Sequence, residues 1–164
     1  MDAKERRIIV VVDDSSFHLA ECEMHLKNRY AVYTAGSAET MFRMLDRIKP
    51  DLILLDVMMP GMDGYEVIKV LKSNKETAGI PVIFLTADSD PESEAFGLSL
   101  GAADYIRKPY DARVLVQRIE TQLRMASHEK GLAAAGASIG RSLAAAEAAA
   151  AKICAIGPGG GANE

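Results

Sequence analysis

The chain has 164 residues, 49% hydrophobic and 26% charged, with a net charge of -4; that is enough for one sizeable core and little more, so one domain with an appendage is expected. Lys and Arg are scattered along the chain, which argues against an electrostatic footprint for direct nucleic-acid binding or for an anionic membrane. No run approaches a membrane span, the apolar stretch after MDAKERR is too short for a secretory segment, and Cys22 and Cys154 match no disulfide or metal spacing, so a cytoplasmic protein with reduced thiols is expected.

The first strand is expected at Ile8–Val12 (IIVVV), ending in Asp13 and Asp14. Leu19, Cys22 and Leu26 recur at helical spacing after it, and a weaker strand follows at YAVYTA. Ser37 is read as the N-cap of a second helix carrying Met41, Met44, Leu45 and Ile48 inward, stopped before Pro50. The third strand, Leu52–Leu55 (LILL), runs straight into Asp56 and a Pro/Gly turn. A third helix is expected from Gly64 to Ser73 with Val67, Ile68 and Leu71 inward.

PVIFLT forms the fourth strand, ending at Thr86. A helix from Pro91 to Gly101 follows, then a fifth strand at DYIRK and a fifth helix opening at Asp111 with Val114, Leu115, Ile119 and Leu123 inward. Three of the strands are continuous apolar runs, the pattern of strands covered on both faces. Strands alternating with helices imply a doubly wound α/β sandwich with right-handed crossovers. Residues 1–127 are read as this domain. Residues 128–164 are rich in Ala and Gly and are read as a marginal helix or a disordered tail.

In open parallel sheets, ligands bind at the carboxyl ends of the strands. Here those ends carry Asp13, Asp14, Asp56, Thr86 with Ala87, and Lys108. Three crowded carboxylates repel unless a cation neutralises them, and Mg²⁺ suits a site of carboxylates, water and a phosphate oxygen. Asp14 and Asp56 are expected as direct ligands, Asp13 through water, and the Met58 carbonyl as a third protein ligand. Asp56 then has the character of a nucleophile toward phosphorus. Lys108, the Thr86 hydroxyl and the Ala87 N–H would meet the phosphoryl oxygens.

VVDD, LLDVMMPGMDG, IFLTA and YIRKP, in that order, resemble the receiver domain of two-component response regulators across about Ile8–Ala126. The resemblance implies a flavodoxin-like (βα)5 sandwich with a parallel sheet of order 2-1-3-4-5. It implies Asp56 as phosphoacceptor for a histidine kinase or phosphotransfer protein, with Mg²⁺ as cofactor. Thr86 and Tyr105 would form a switch pair, and a cis bond is expected between Lys108 and Pro109. Output would pass through helix 4, strand 5 and helix 5 to a protein partner, an output domain, or a phosphorylation-dependent homodimer. The chain would catalyse its own phosphorylation and dephosphorylation and would not turn over an external substrate.

Rival readings fit less well. A haloacid-dehalogenase-type phosphatase needs a carboxylate two residues after the nucleophile, where this chain has Met58. A flavin module needs a phosphate-cradling loop after the first strand, where Asp13 and Asp14 stand. The alternative that remains is a receiver-like scaffold that docks proteins without being phosphorylated. His18, His25 and His128 are read as exposed residues with no ligand pattern around them.

Overall fold

The computed structural model describes the backbone of residues 5–155 and the side chains up to residue 136. The chain divides into two compact units, Met1–Ala126 and Ser127–Glu164. Strands β1 (Ile8–Val12), β2 (Ala31–Ala35), β3 (Leu52–Leu55), β4 (Val82–Thr86) and β5 (Asp104–Arg107) alternate with helices. These are α1 (Ser16–Leu26), α2 (Ala38–Leu45), α3 (Gly64–Ser73), α4 (Pro91–Ser99) and α5 (Ala112–Ala155). The sheet is wholly parallel with order β2-β1-β3-β4-β5, the order the resemblance implies.

Side chains alternate along each strand, and the two faces build two cores. Val10, Val12, Ile53, Leu55, Val82 and Phe84 pack with Met41 of α2 and with Val67, Ile68 and Leu71 of α3. Ile9, Val11, Leu52, Leu54, Ile83 and Leu85 pack with Cys22 and Leu26 of α1 and with Leu115, Ile119 and Leu123 of α5. Every side chain of β3 and β4 is therefore buried. This is why their sequences are unbroken apolar runs.

Local chemistry sets the helix starts. Ser15 and Ser37 accept the N–H groups of His18 and Thr40, and Asp90 with Pro91 opens α4. Asp63 and Glu66 form a reciprocal capping box at the start of α3. The Gly101 backbone takes φ +102° just after α4, as a terminating glycine should. Two expectations are corrected. Val114 is 43% exposed, because Leu115, Ile119 and Leu123 form the inward stripe and Val114 lies one residue, about 100°, to its side. Helix α2 ends at Leu45 with Asp46 as its C-cap, so Ile48 packs on the core from beyond the helix.

After the core stripe, the backbone of α5 stays helical to Ala155, through the Ala-rich stretch. The Gly run of the tail lies outside the described residues. Among the described residues, no helix is long and apolar enough to cross a membrane.

Candidate functional site

The parallel register brings the strand ends together. Val12 pairs with Leu55, so the residues that follow, Asp13 and Asp56, emerge side by side, and the Asp56 N–H donates to the Val12 carbonyl at 2.9 Å. Asp13 is 4% and Asp56 7% exposed, whereas Asp14 faces solvent. One carboxylate oxygen from each of Asp13, Asp14 and Asp56 lies within 4.8 Å of the other two. The Lys108 N–H donates to the Thr86 carbonyl at 2.8 Å, which anchors the end of β5 to the end of β4. From there its ammonium reaches Asp13 Oδ2 at 2.5 Å and Asp56 Oδ2 at 3.9 Å. The Lys108–Pro109 bond is cis, as expected.

Thr86 is fully buried, and its hydroxyl accepts the Asp88 N–H at 3.3 Å. The Asp88 carbonyl in turn accepts from the Tyr105 hydroxyl at 3.5 Å. The Asp88 backbone therefore joins Thr86 to Tyr105. The Tyr105 ring is already turned inward, 6% exposed and 5.9 Å from the Phe84 ring. Ala87 is exposed at the end of β4. The Met58 side chain points outward, 69% exposed, while its N–H donates to Asp56 Oδ1 at 3.4 Å.

One site residue went unread in the sequence. The reading of His18 as a plain exposed helix residue is corrected: its Nδ1 lies 3.0 Å from the Lys108 ammonium and 3.2 Å from Asp13 Oδ2. The signal was available: His18 is the third residue of a helix that opens at the acid pair, and helical side chains lean toward the N-terminus. His25 instead stacks edge-on to Tyr110, and His128 is exposed.

Burial pushes the Asp56 carboxyl above its ordinary 3.8; Lys108 opposes this, Asp13 adds to it, and the Met58 N–H and Thr86 hydroxyl hold it down. An acid raised in the native state keeps a proton that the unfolded chain has already released, so stability falls as pH rises from 3.8 to the raised value. Above that value the whole cost is present. Asp56→Asn is therefore expected to raise the melting temperature of metal-free protein at neutral pH. The gain should shrink as pH falls and vanish below about 3.8. Thermal melts of both proteins in chelator across pH check this, and an equal offset at every pH would contradict it.

An all-oxygen set of three close carboxylates, two of them buried, fits a hard divalent cation such as Mg²⁺. Comparison with known proteins gives the site a family. Residues 9–120, more than half of the chain, match the family model described as "Response regulator receiver domain". A probable cyclic di-GMP phosphodiesterase of Vibrio cholerae is 43% identical over 116 residues, covering 71% of this chain and 26% of its own. The DNA-binding response regulator MtrA of Mycobacterium bovis is 39% identical over 126 residues, covering 76% of this chain and 53% of its own. The chain thus spans about half, or less, of these relatives. The signal receiver domain of a signal transduction histidine kinase from Syntrophus aciditrophicus has a TM-score of 0.66 at 34% identity, covering 72% of this chain and 90% of that one. This chain belongs to the family of response regulator receiver domains found in two-component systems.

Proposed function

We propose that Asp56 accepts a phosphoryl group from the phosphohistidine of a histidine kinase or phosphotransfer protein in an Mg²⁺-dependent reaction. The observation that carries this reading is the Asp56 carboxylate at the end of a buried strand, flanked by Asp13 and Asp14 and faced by the Lys108 ammonium. An Asp56 oxygen attacks phosphorus, the new O–P bond forms as the donor P–N bond breaks, and the imidazole leaves with its electron pair. Asp13, Asp14, Asp56 and the Met58 carbonyl would hold the cation, which when bound neutralises charge on the carboxylate and phosphoryl oxygens. Lys108, already poised between Asp13 and Asp56, meets the charge on a second phosphoryl oxygen. The Thr86 hydroxyl and Ala87 N–H take the third.

Capture of the Thr86 hydroxyl as a donor to the phosphoryl group pulls the side chain toward Asp56 and draws on the bond it accepts from the Asp88 N–H. The same peptide segment accepts from Tyr105, so a shift of Thr86 is transmitted to β5 and α4. That surface also carries the Arg107–Glu94 and Arg118–Asp104 ion pairs. A protein partner, or an output domain joined to the receiver, would read it, the receiver spanning residues 1–127. The chain acts on itself and not on an external substrate.

The test is incubation with Mg²⁺ and acetyl phosphate, or with beryllofluoride, read by intact mass and NMR. Covalent or mimic binding is expected for the native chain and absent in Asp56→Asn or in chelator. Binding that survives the substitution rejects Asp56 as acceptor. No binding under any condition favours the phosphorylation-independent scaffold.

A further inference from the structure

The helix α5 runs unbroken from Ala112 to Ala155, well past the last core residue, Leu123. Beyond that point its large apolar residues are Met125, Leu132, Ile139, Leu143 and Ile153. Four of the five, Met125, Leu132, Ile139 and Ile153, fall on one seven-residue repeat, with Ala146 completing it. Leu143 falls four residues after Ile139, on the adjacent seam position that also holds Glu129, Gly136 and Ala150. Met125 and Leu132 are 52% and 60% exposed, so the stripe begins uncovered.

The period identifies the occupant. A straight α-helix drifts about 20° per seven residues, so over four repeats a strict seven-residue stripe walks away from any flat or globular surface. Such a stripe stays in contact only with another helix that supercoils around it. The chemistry narrows the occupant further. Choice of a foreign helix is normally set by charges flanking the seam, and here the flanking positions are Ala126, His128, Ala133, Ala135, Gly140, Ser142, Glu147, Ala149 and Cys154. One charge among them carries no pairing code. Lys130, Arg141 and Lys152 fall on the positions away from the seam. Glu129 is the single charged seam residue, so pairing should begin at Leu132.

We propose that this helical extension pairs with the same segment of a second copy of the chain, forming a two-stranded coiled coil. The pairing does not need phosphorylation, which separates it from any assembly through the α4–β5–α5 surface. Because Gly136, Ala146 and Ala150 hold three of the nine seam positions and Glu129 a fourth, the pair buries modest surface and is weak, with a mass that depends on concentration.

The test uses the full unphosphorylated chain, without phosphodonor, in sedimentation and light scattering from micromolar to millimolar concentration. Mass should rise toward that of a dimer. Leu132→Lys with Ile139→Lys should return it to monomer at every concentration. Ala134→Lys with Ala148→Lys, on the opposite face, should leave it unchanged. In a Cys154→Ser background, Leu132→Cys should cross-link between chains under mild oxidation and Ala134→Cys should not. A monomer throughout, a dimer that survives the seam substitutions, or equal cross-linking at both positions would overturn the proposal.

Discussion

Replacing Lys108 with alanine is expected to slow phosphoryl acceptance from acetyl phosphate by about 10²–10³-fold, the usual cost of removing one preorganised group that meets transition-state charge. The geometry also predicts a stability effect in the opposite sense to that of Asp56→Asn. Lys108 is 2.5 Å from Asp13, a carboxylate that is 5% exposed at its side chain. Deleting it leaves Asp13 and Asp56 facing each other without their cation. Breaking such a pair costs about 3 kcal/mol, the lower end of the range for buried pairs because Lys108 keeps some solvent contact. Mg²⁺ should therefore stabilise Lys108→Ala more than it stabilises the native chain. Lys108→Arg restores the charge but spreads it over a planar fork, so it should recover stability better than rate. Stopped-flow phosphorylation together with denaturant melts, with and without Mg²⁺, checks both parts. An unchanged rate in Lys108→Ala would remove the lysine from the chemistry.

Gly64→Ala is expected to destabilise the protein by about 3 kcal/mol, at the upper end for overpacking, and to weaken beryllofluoride binding. A Cβ at Gly64 would stand 2.4 Å from the Asp56 carbonyl oxygen and 2.8 Å from the Val57 Cα. Both are backbone atoms, so no rotamer change relieves the clash. The Gly64 N–H donates to the Val57 carbonyl at 2.9 Å, which seats the start of α3 directly over the end of β3. Pushing them apart moves the peptide that holds Asp56. Gly79→Ala is the control, since a Cβ there meets nothing within 4 Å. Urea melts should separate the two substitutions clearly. Equal stability would mean that the α3 start can retreat without cost.

The dependence of the site on this close approach shows where sequence and structure divide the work. The unbroken apolar runs IIVVV, LILL and VIFLT already declare strands covered on both faces, because a strand with one wet face would have to alternate. The turn and cap residues, Ser37, Pro91 and Gly101, declare where helices begin and end through their own local bonds and φ angles. The acids and the lysine at the strand ends were legible for the same reason: each interrupts or follows an apolar run that has to stop there. These are local properties, readable from a few neighbouring residues.

What needed the tertiary structure was everything measured across strands. The pairing of Val12 with Leu55 brings Asp13 beside Asp56, and the bond from Lys108 to the Thr86 carbonyl sets the reach of the ammonium. No spacing along the chain encodes either distance. For His18 the contact with Asp13 was within reach of helix geometry, but the one with Lys108, 90 residues away, forms only on folding. Val114 was misplaced because several apolar residues shared one helix, and only packing against the sheet chose which stripe would be buried. The coupling of Thr86 to Tyr105 through the Asp88 backbone has the same origin. Local sequence determines which residues end a strand or cap a helix, because those interactions close within one turn; long-range register decides which of them meet, because it is set by the packing of the whole sheet.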